Sequence, residues 1–308
     1  MDPTILTSPT EVRSSIKRLK NNKAPGRDRI PNVLLKRLPM KAIVFITYVF
    51  NACLYLSYFP ECWKEAVVAA IPKPDKDLSK PVSYRPISLL NSLSKIFEKV
   101  MLNRINEFVD SNGIIPNVQF GFRQFHSTTQ QTYRLARHIK VGFGEKMSTG
   151  MVLFDGEKAF DTVWHDGLIH KLLKLKFPVY LVKLIRSFLL NRKFKVKVNQ
   201  SLSDSKSVPA GVPQGSRLSP TLYNLFLSDF PQLNDIIIAF FADDLAILTT
   251  SKSRNQIQSR LQKSINRIRS YFTCWRLKIN SDKCQAIFFT KRRKPSFLPN
   301  RKLRVGDV

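Results

Sequence analysis

The sequence predicts an α+β protein in which a small antiparallel sheet carries helices on one face. Three observations predict it. Short runs of Ile, Leu, Phe and Val, of strand length, stand at 151–154, 236–241, 245–248 and 286–289. Longer stretches with apolar residues at helical spacing separate them, above all 92–110 and 253–275. Their order is strand, helices, hairpin, helix, hairpin, helix, strand, which is not the strict alternation of a doubly wound parallel sheet.

Taken in order, residues 8–20 form a short helix, with Ser8 or Thr10 as cap and Val12, Ile16 and Leu19 on one face. Asn21 to Arg29 is a basic loop rich in turn formers, and Pro31 to Leu38 a second short helix. Ala42 to Phe59 has no charged residue over 18 positions, the lower limit of a membrane span. Thr47, Asn51, Ser57, three tyrosines and the closing Pro60 point instead to a buried helix. Val67 to Ile71 is a strand, followed by a Pro/Lys/Asp loop from Pro72 to Pro81. Residues 92–110 bring Leu93, Ile96, Phe97, Val100, Ile105 and Phe108 to one helix face. After an aromatic-glycine loop, Gln119 to Arg123, residues 127–141 are helical. Met151 to Phe154 is a strand that runs into Asp155. Helices follow at 166–175 and 179–191, parted by Pro178. Phe194 to Asn199 alternates as a half-exposed strand and, with a turn at 200–206, pairs with Ser207-Val208. A Gly/Pro loop, 211–216, leads to a helix at 219–228, then the 236–248 hairpin, the basic helix 253–275 and a last strand, Ala286 to Phe289. Residues 291–308 are a basic tail.

Charge narrows the function. The chain of 308 residues has 51 Lys and Arg against 22 Asp and Glu, a net charge of +29. Hydrophobic residues make up 43%, enough for a large core. A folded chain this basic fits a polyanion, nucleic acid first and an anionic membrane surface second. Cys53, Cys62, Cys274 and Cys284 form no C-x-x-C pair and read as buried thiols in a reducing compartment.

The chemistry centres on acids. Asp243-Asp244 sits at the tip of a hairpin whose arms are apolar, and Asp155 ends another strand. On its own the pair reads first as a polar turn. If the strands are neighbours, three carboxylates meet at one sheet edge. Hard oxygen ligands suit Mg²⁺, and two ions about 4 Å apart serve in-line nucleotidyl transfer.

The ordered motifs resemble those of reverse transcriptases. Phe241-Ala242-Asp243-Asp244 looks like the catalytic box, and Asp155-Gly156-Glu157-Lys158-Ala159-Phe160-Asp161 like the first aspartate motif. Gly211-Val212-Pro213-Gln214-Gly215-Ser216 with Leu218-Ser219-Pro220 resembles the substrate loop. Lys73 to Lys76 with Tyr84-Arg85-Pro86-Ile87-Ser88 resembles the fingers motif. Lys23-Ala24-Pro25-Gly26 with Asp28, and Gln119-Phe120-Gly121-Phe122-Arg123, are similar to non-LTR retrotransposons (LINE-type, jockey-like). The likeness spans about residues 10–290.

That resemblance implies a right-hand polymerase with fingers and palm, the antiparallel palm sheet packed on helices. Residues 1–66 are then an N-terminal helical extension and 67–308 the reverse transcriptase domain, with 67–148 mainly fingers, 149–290 mainly palm and 291–308 the connection to a thumb. Since 18 residues follow Thr290, the resemblance implies either a truncated reading frame or a piece of the element, with the thumb largely missing. The implied activity is RNA-directed DNA synthesis from dNTPs on an RNA template and DNA primer, with two Mg²⁺ ions or Mn²⁺ in their place and no membrane partner. The alternative is a catalytically inactive nucleic-acid-binding remnant. Asp155 and Asp243 would bind both metals, with Asp244 the third acid. Phe160 would be the steric gate against a 2′-hydroxyl, with core packing as its other reading. Arg85, assisted by Lys73 or Lys76, would hold the triphosphate, and Gln214 and Gly215 would meet the nucleotide. Lys283 would protonate the leaving pyrophosphate, although a surface lysine fits it as well. Gly156 departs from the larger residue usual in the family and is expected to loosen the strand end. The basic helices 92–110 and 253–275 would line the template-primer cleft. Lys291 to Lys294 also reads as a nuclear import signal, and the family's setting is nucleus and cytoplasm.

Overall fold

The computed structural model describes residues 4–75, 77–199, 201–291 and Leu303. Helices α1 (Pro9–Lys17), α2 (Asn32–Lys36) and α3 (Met40–Tyr55) come first. Strands β1 (Glu65–Pro72) and β2 (Tyr84–Leu89), helices α4 (Ser92–Ser111) and α5 (Thr128–Gly144), and strand β3 (Ser148–Phe154) follow. Next are α6 (His165–Lys174), α7 (Val179–Leu189), β4 (Lys193–Val198), β5 (Ser201–Leu202), β6 (Lys206–Ser207) and α8 (Ser219–Phe226). The chain closes with β7 (Ile237–Phe241), β8 (Asp244–Ser251), α9 (Arg254–Cys274) and β9 (Gln285–Phe289). Two compact units emerge, one of Met1–Ile114 with Val163–Leu225, the other of Ile115–Thr162 with Phe226–Val308.

In the first unit an aromatic core forms where α3, α4 and α7 supply Phe50, Phe97 and Phe188. Phe59 and Trp63 join them, with ring centroids of successive pairs 5.0 to 6.0 Å apart. Ser8 caps α1 by accepting from the Glu11 N–H. Arg104 of α4 ties α1 down, its Nη2 donating to Glu11 Oε2 at 2.8 Å and to the Leu6 carbonyl at 2.9 Å. Burial pushes the Glu11 carboxyl up, but bonds from Arg104, Thr7 and Asn103 outweigh it and bring the pKa to about 2. Arg104 is therefore a buried brace, which removes it from the basic cleft face expected of 92–110.

The sheet of this unit runs β2-β1-β4-β5, with β6 also on β4. The expected antiparallel sheet is the other one, and this sheet is an addition with mixed pairing. β1 pairs antiparallel with β2 but parallel with β4, from Glu65↔Lys193 to Ala69↔Lys197. A parallel pair needs a long crossover, and residues between β1 and β4 supply it. Ser201 and Leu202, expected in a turn, instead form β5 and pair with the end of β4.

Helix α3 corrects a further expectation. Ile43, Thr47, Phe50, Cys53 and Leu54 are buried, but Phe45, Tyr48 and Tyr55 are 69%, 70% and 76% exposed. The absence of charge hid an amphipathic helix whose outer face is aromatic rather than polar. No helix among the described residues is long and apolar enough to cross a membrane. The cysteines also differ from expectation. Cys53 is buried, and burial raises its thiol to about 11, but Cys62 and Cys274 are exposed. Lys76 and residues 292–294 of the basic run lie outside the described residues.

The second unit holds an antiparallel sheet in the order β7-β8-β3-β9. β3 is bonded on both sides and almost wholly buried, which explains its unbroken apolar run. Helix α9 packs closely over it, because a Cβ at Gly150 would lie 2.4 Å from Ile257 Cγ2. Ser127 starts α5 with a reciprocal capping box to Gln130.

Candidate active site

The β3–β8 register decides where the acids lie. Phe154 pairs with Leu245, so Asp155, one residue beyond β3, stands beside Asp244, the first residue of β8. Phe241 pairs with Asp244 and closes the turn through Ala242 and Asp243. The structure thus brings Asp155, Asp243 and Asp244 to one end of the sheet. Among the described residues, no three acidic, His or Cys side chains converge as a ready-made metal cage. Lys283 reaches the same end, its Nζ 3.0 Å from Asp155 Oδ2.

Electrostatics mark this end as short of positive charge. Burial is the main reason that the Asp243 carboxyl is raised above its usual range. Its own backbone N–H opposes the rise, the Asp155 charge adds to it, and Lys283 opposes it. Asp244 is raised by burial first, then by Asp243 and Asp155. Carboxylate oxygens are the donor type that a hard divalent cation takes, but here they do not converge and one already holds an ammonium.

The turn is held from behind. Ala242 has φ +59°, a left-handed position usually given to glycine in such turns. Gln119 holds it on both sides. Its Nε2 donates to the Ala242 carbonyl, and its Oε1 accepts from the Ala242 N–H, both at 3.1 Å. The same oxygen accepts from Gly121 N at 2.8 Å. A Cβ on Gly121 would lie 2.0 Å from Ala242 N, so only glycine fits. Gln131 of α5 adds a bond from Nε2 to the Phe240 carbonyl at 2.9 Å.

On the other side the Asp155 carbonyl accepts from Asn280 N at 2.9 Å, and Glu157 N donates to the Lys278 carbonyl at 3.0 Å. Gly156 bridges Ile279 between those bonds. The strand end is therefore pinned, and Gly156 does not loosen it as expected. Phe160 lies half-buried in the following turn, edge-on to Phe122 at 5.9 Å.

The remaining expected residues lie in the first unit. The 211–216 loop is fixed by Gly211 N donating to the Val163 carbonyl at 2.8 Å and by Ser88 N donating to the Gln214 carbonyl at 2.8 Å. Gly215 has φ +117°, and a Cβ there would meet the Ser88 oxygen at 2.6 Å. Arg85 stands exposed on β2, the strand that carries Ser88, and Lys73 lies where β1 turns toward β2, its N–H donating to the Ser83 carbonyl at 2.8 Å. Sequence reasoning missed Gln119 as the turn's support and Glu98 as a partner of the loop. A signal for Glu98 was present, since a carboxylate interrupts the apolar face of 92–110.

Relatives bear on this geometry. The chain is 42% identical over 281 residues to the probable RNA-directed DNA polymerase from transposon BS of Drosophila melanogaster, covering 89% of this chain and 31% of that protein. It is 40% identical over 290 residues to the RNA-directed DNA polymerase from mobile element jockey of the same fly, covering 92% and 32%. The chain thus spans about a third of the curated relatives it matches. Apo telomerase from Candida tropicalis, truncated from its C-terminal domain, shares the fold at a TM-score of 0.53 and 13% identity, over 75% of this chain and 51% of that one. The antiparallel sheet with its acids is thus the palm sheet of a reverse transcriptase fold. The family model described as reverse transcriptase (RNA-dependent DNA polymerase) matches residues 71–299, and the chain belongs to that family.

Proposed function

We propose that this chain is the RNA-directed DNA polymerase of a non-LTR retrotransposon, adding dNTPs to the 3′-hydroxyl of a DNA primer on an RNA template. One observation carries the reading. The β3–β8 pairing draws Asp155, Asp243 and Asp244, distant in sequence, to a single sheet end. The family is generally dependent on divalent metal. In this reading Asp155 and Asp243 hold two Mg²⁺ ions, with Asp244 beside them. Bound there, such ions acidify the attacking hydroxyl and stabilise the leaving pyrophosphate.

The chain's own groups do the rest. Arg85, with Lys73, offers charged donors to the triphosphate. Gln214 and Gly215 present a close backbone surface to the nucleotide. Phe160 sets a ring against the sugar. Lys283, which bonds Asp155, would be the group to give a proton to the departing pyrophosphate.

Primer extension on poly(rA)/oligo(dT) with dTTP and Mg²⁺ tests this. Asp243→Ala should lower the rate by about a hundredfold or more, the scale of several kcal/mol of lost charge stabilisation. Product from the variant equal to that from the parent would leave a nucleic-acid-binding chain without polymerase chemistry.

A further inference from the structure

Glu98 is a buried carboxylate that the proposed chemistry does not use. It lies on α4 and is 0% exposed. Lys95 and the buried Arg192 feel its charge, but its carboxylate oxygens bond to neither in a described hydrogen bond. Buried charge is costly unless hydrogen bonds replace its water. Arg192 is buried too, but it donates Nη1 to the Phe188 carbonyl at 3.1 Å and lies 4.7 Å over the Phe188 ring.

Glu98 instead spends its oxygens on the substrate-loop region. Oε2 accepts from Ser216 Oγ and from Arg217 N, both at 2.7 Å. Oε1 accepts from Ser94 Oγ one turn back on α4, at 3.0 Å. Ser216 Oγ then accepts from Leu218 N at 3.0 Å, where the loop enters α8. Ser219 Oγ donates to the Pro213 carbonyl at 2.8 Å and closes the loop on itself. The backbone is thus fixed before Gly215 by Ser88 and after it by Glu98.

We propose that Glu98 is the positioning residue of the 211–216 loop, setting the conformation in which Gln214 and Gly215 meet the incoming nucleotide. It rests on the proposed function for the nucleotide, not for the brace. A carboxylate suits the task because bonds to a charged acceptor are short and strong.

The test uses the full chain and three variants. Glu98→Ala removes the acceptor and Glu98→Gln keeps a weaker one. Ser216→Ala removes one donor and leaves Glu98 in place, which secures the test if Glu98→Ala does not fold. On poly(rA)/oligo(dT), Glu98→Ala should raise the KM for dTTP about tenfold or more, the effect of losing a bond to a charged group. The kcat and the affinity for primer-template should change little. Glu98→Gln should restore most of the KM. Hydrogen exchange at 211–218 should speed up in Glu98→Ala and Ser216→Ala, with α9 unchanged. Wild-type KM together with wild-type exchange in folded variants overturns the proposal. So does a lowered Tm accompanied by neither change. If the parent chain extends no primer, the proposed function fails by itself, and the exchange measurement still decides the brace.

Discussion

Phe160 shows how one side chain gains meaning from its neighbours. In the sequence it follows Ala159 in the first aspartate motif, with plain core packing as its other reading. In the structure it is half-buried in the turn that follows Gly156, with its ring edge-on to Phe122 at 5.9 Å. A braced ring cannot swing aside for an extra hydroxyl as a loose one would. Phe160→Val should therefore improve the use of UTP relative to dTTP by about tenfold, the gain expected when a steric block in a pocket is relieved. The check is the ratio of kcat/KM for the two nucleotides on the same primer-template. An unchanged ratio removes Phe160 from sugar selection. At this scale the Asp243-Asp244 pair alone reads first as a polar turn, and only the order of the other motifs singles it out. Gln119 was not legible, since nothing in its local sequence says that its amide will grip Ala242 through two bonds.

The elements were easier to read than their faces. The apolar periodicity of 92–110 matches α4, and the Ile/Leu/Phe runs match β7 and β8. Helix α3 was also legible as a helix, but a charge-free stretch gives no contrast between its buried and exposed sides. The Ala242-Asp243 turn shows the same limit. Its hairpin is local, whereas its support is a loop from 119–121, far away in sequence. That support makes a prediction for the element as a whole. Gly121→Ala adds a carbon 2.0 Å from Ala242 N and 2.7 Å from Ala242 Cα, both backbone atoms that cannot rotate away. The turn must shift, at a cost of about 1–3 kcal/mol in overpacking. Polymerisation should fall by about tenfold or more while primer-template affinity holds. Gly144→Ala is the matched control, since its Cβ meets nothing within 4 Å. It should leave the rate unchanged and stability level or slightly higher. A Gly121→Ala enzyme as fast as the Gly144→Ala control would mean that the turn does not depend on this close contact.

At the scale of the whole molecule, the antiparallel acid-bearing sheet followed from hairpins and short strands, but the mixed β2-β1-β4-β5 sheet did not. Its parallel β1–β4 pairing joins segments more than a hundred residues apart, and neither strand's pattern names its partner. Net charge needs no such pairing, and +29 was plain from composition. The charge carries the last prediction. Cations that neutralise phosphates release counterions, so log K for primer-template should fall linearly with log salt, by about 0.7 to 0.9 per phosphate contacted. Six or more contacts would cost roughly a thousandfold in affinity between about 50 and 200 mM salt. Lys263 and Arg267 stand exposed one turn apart on α9 and are the cations to remove. Replacing both with alanine should flatten the slope by about 1.5 while leaving the fold intact, because neither side chain is buried. A slope that the double variant does not change would place both on a solvated face and move the template-primer contact off this side of α9. A parent slope shallower than about 2 would go further, and show that most of the net charge is not spent on nucleic acid.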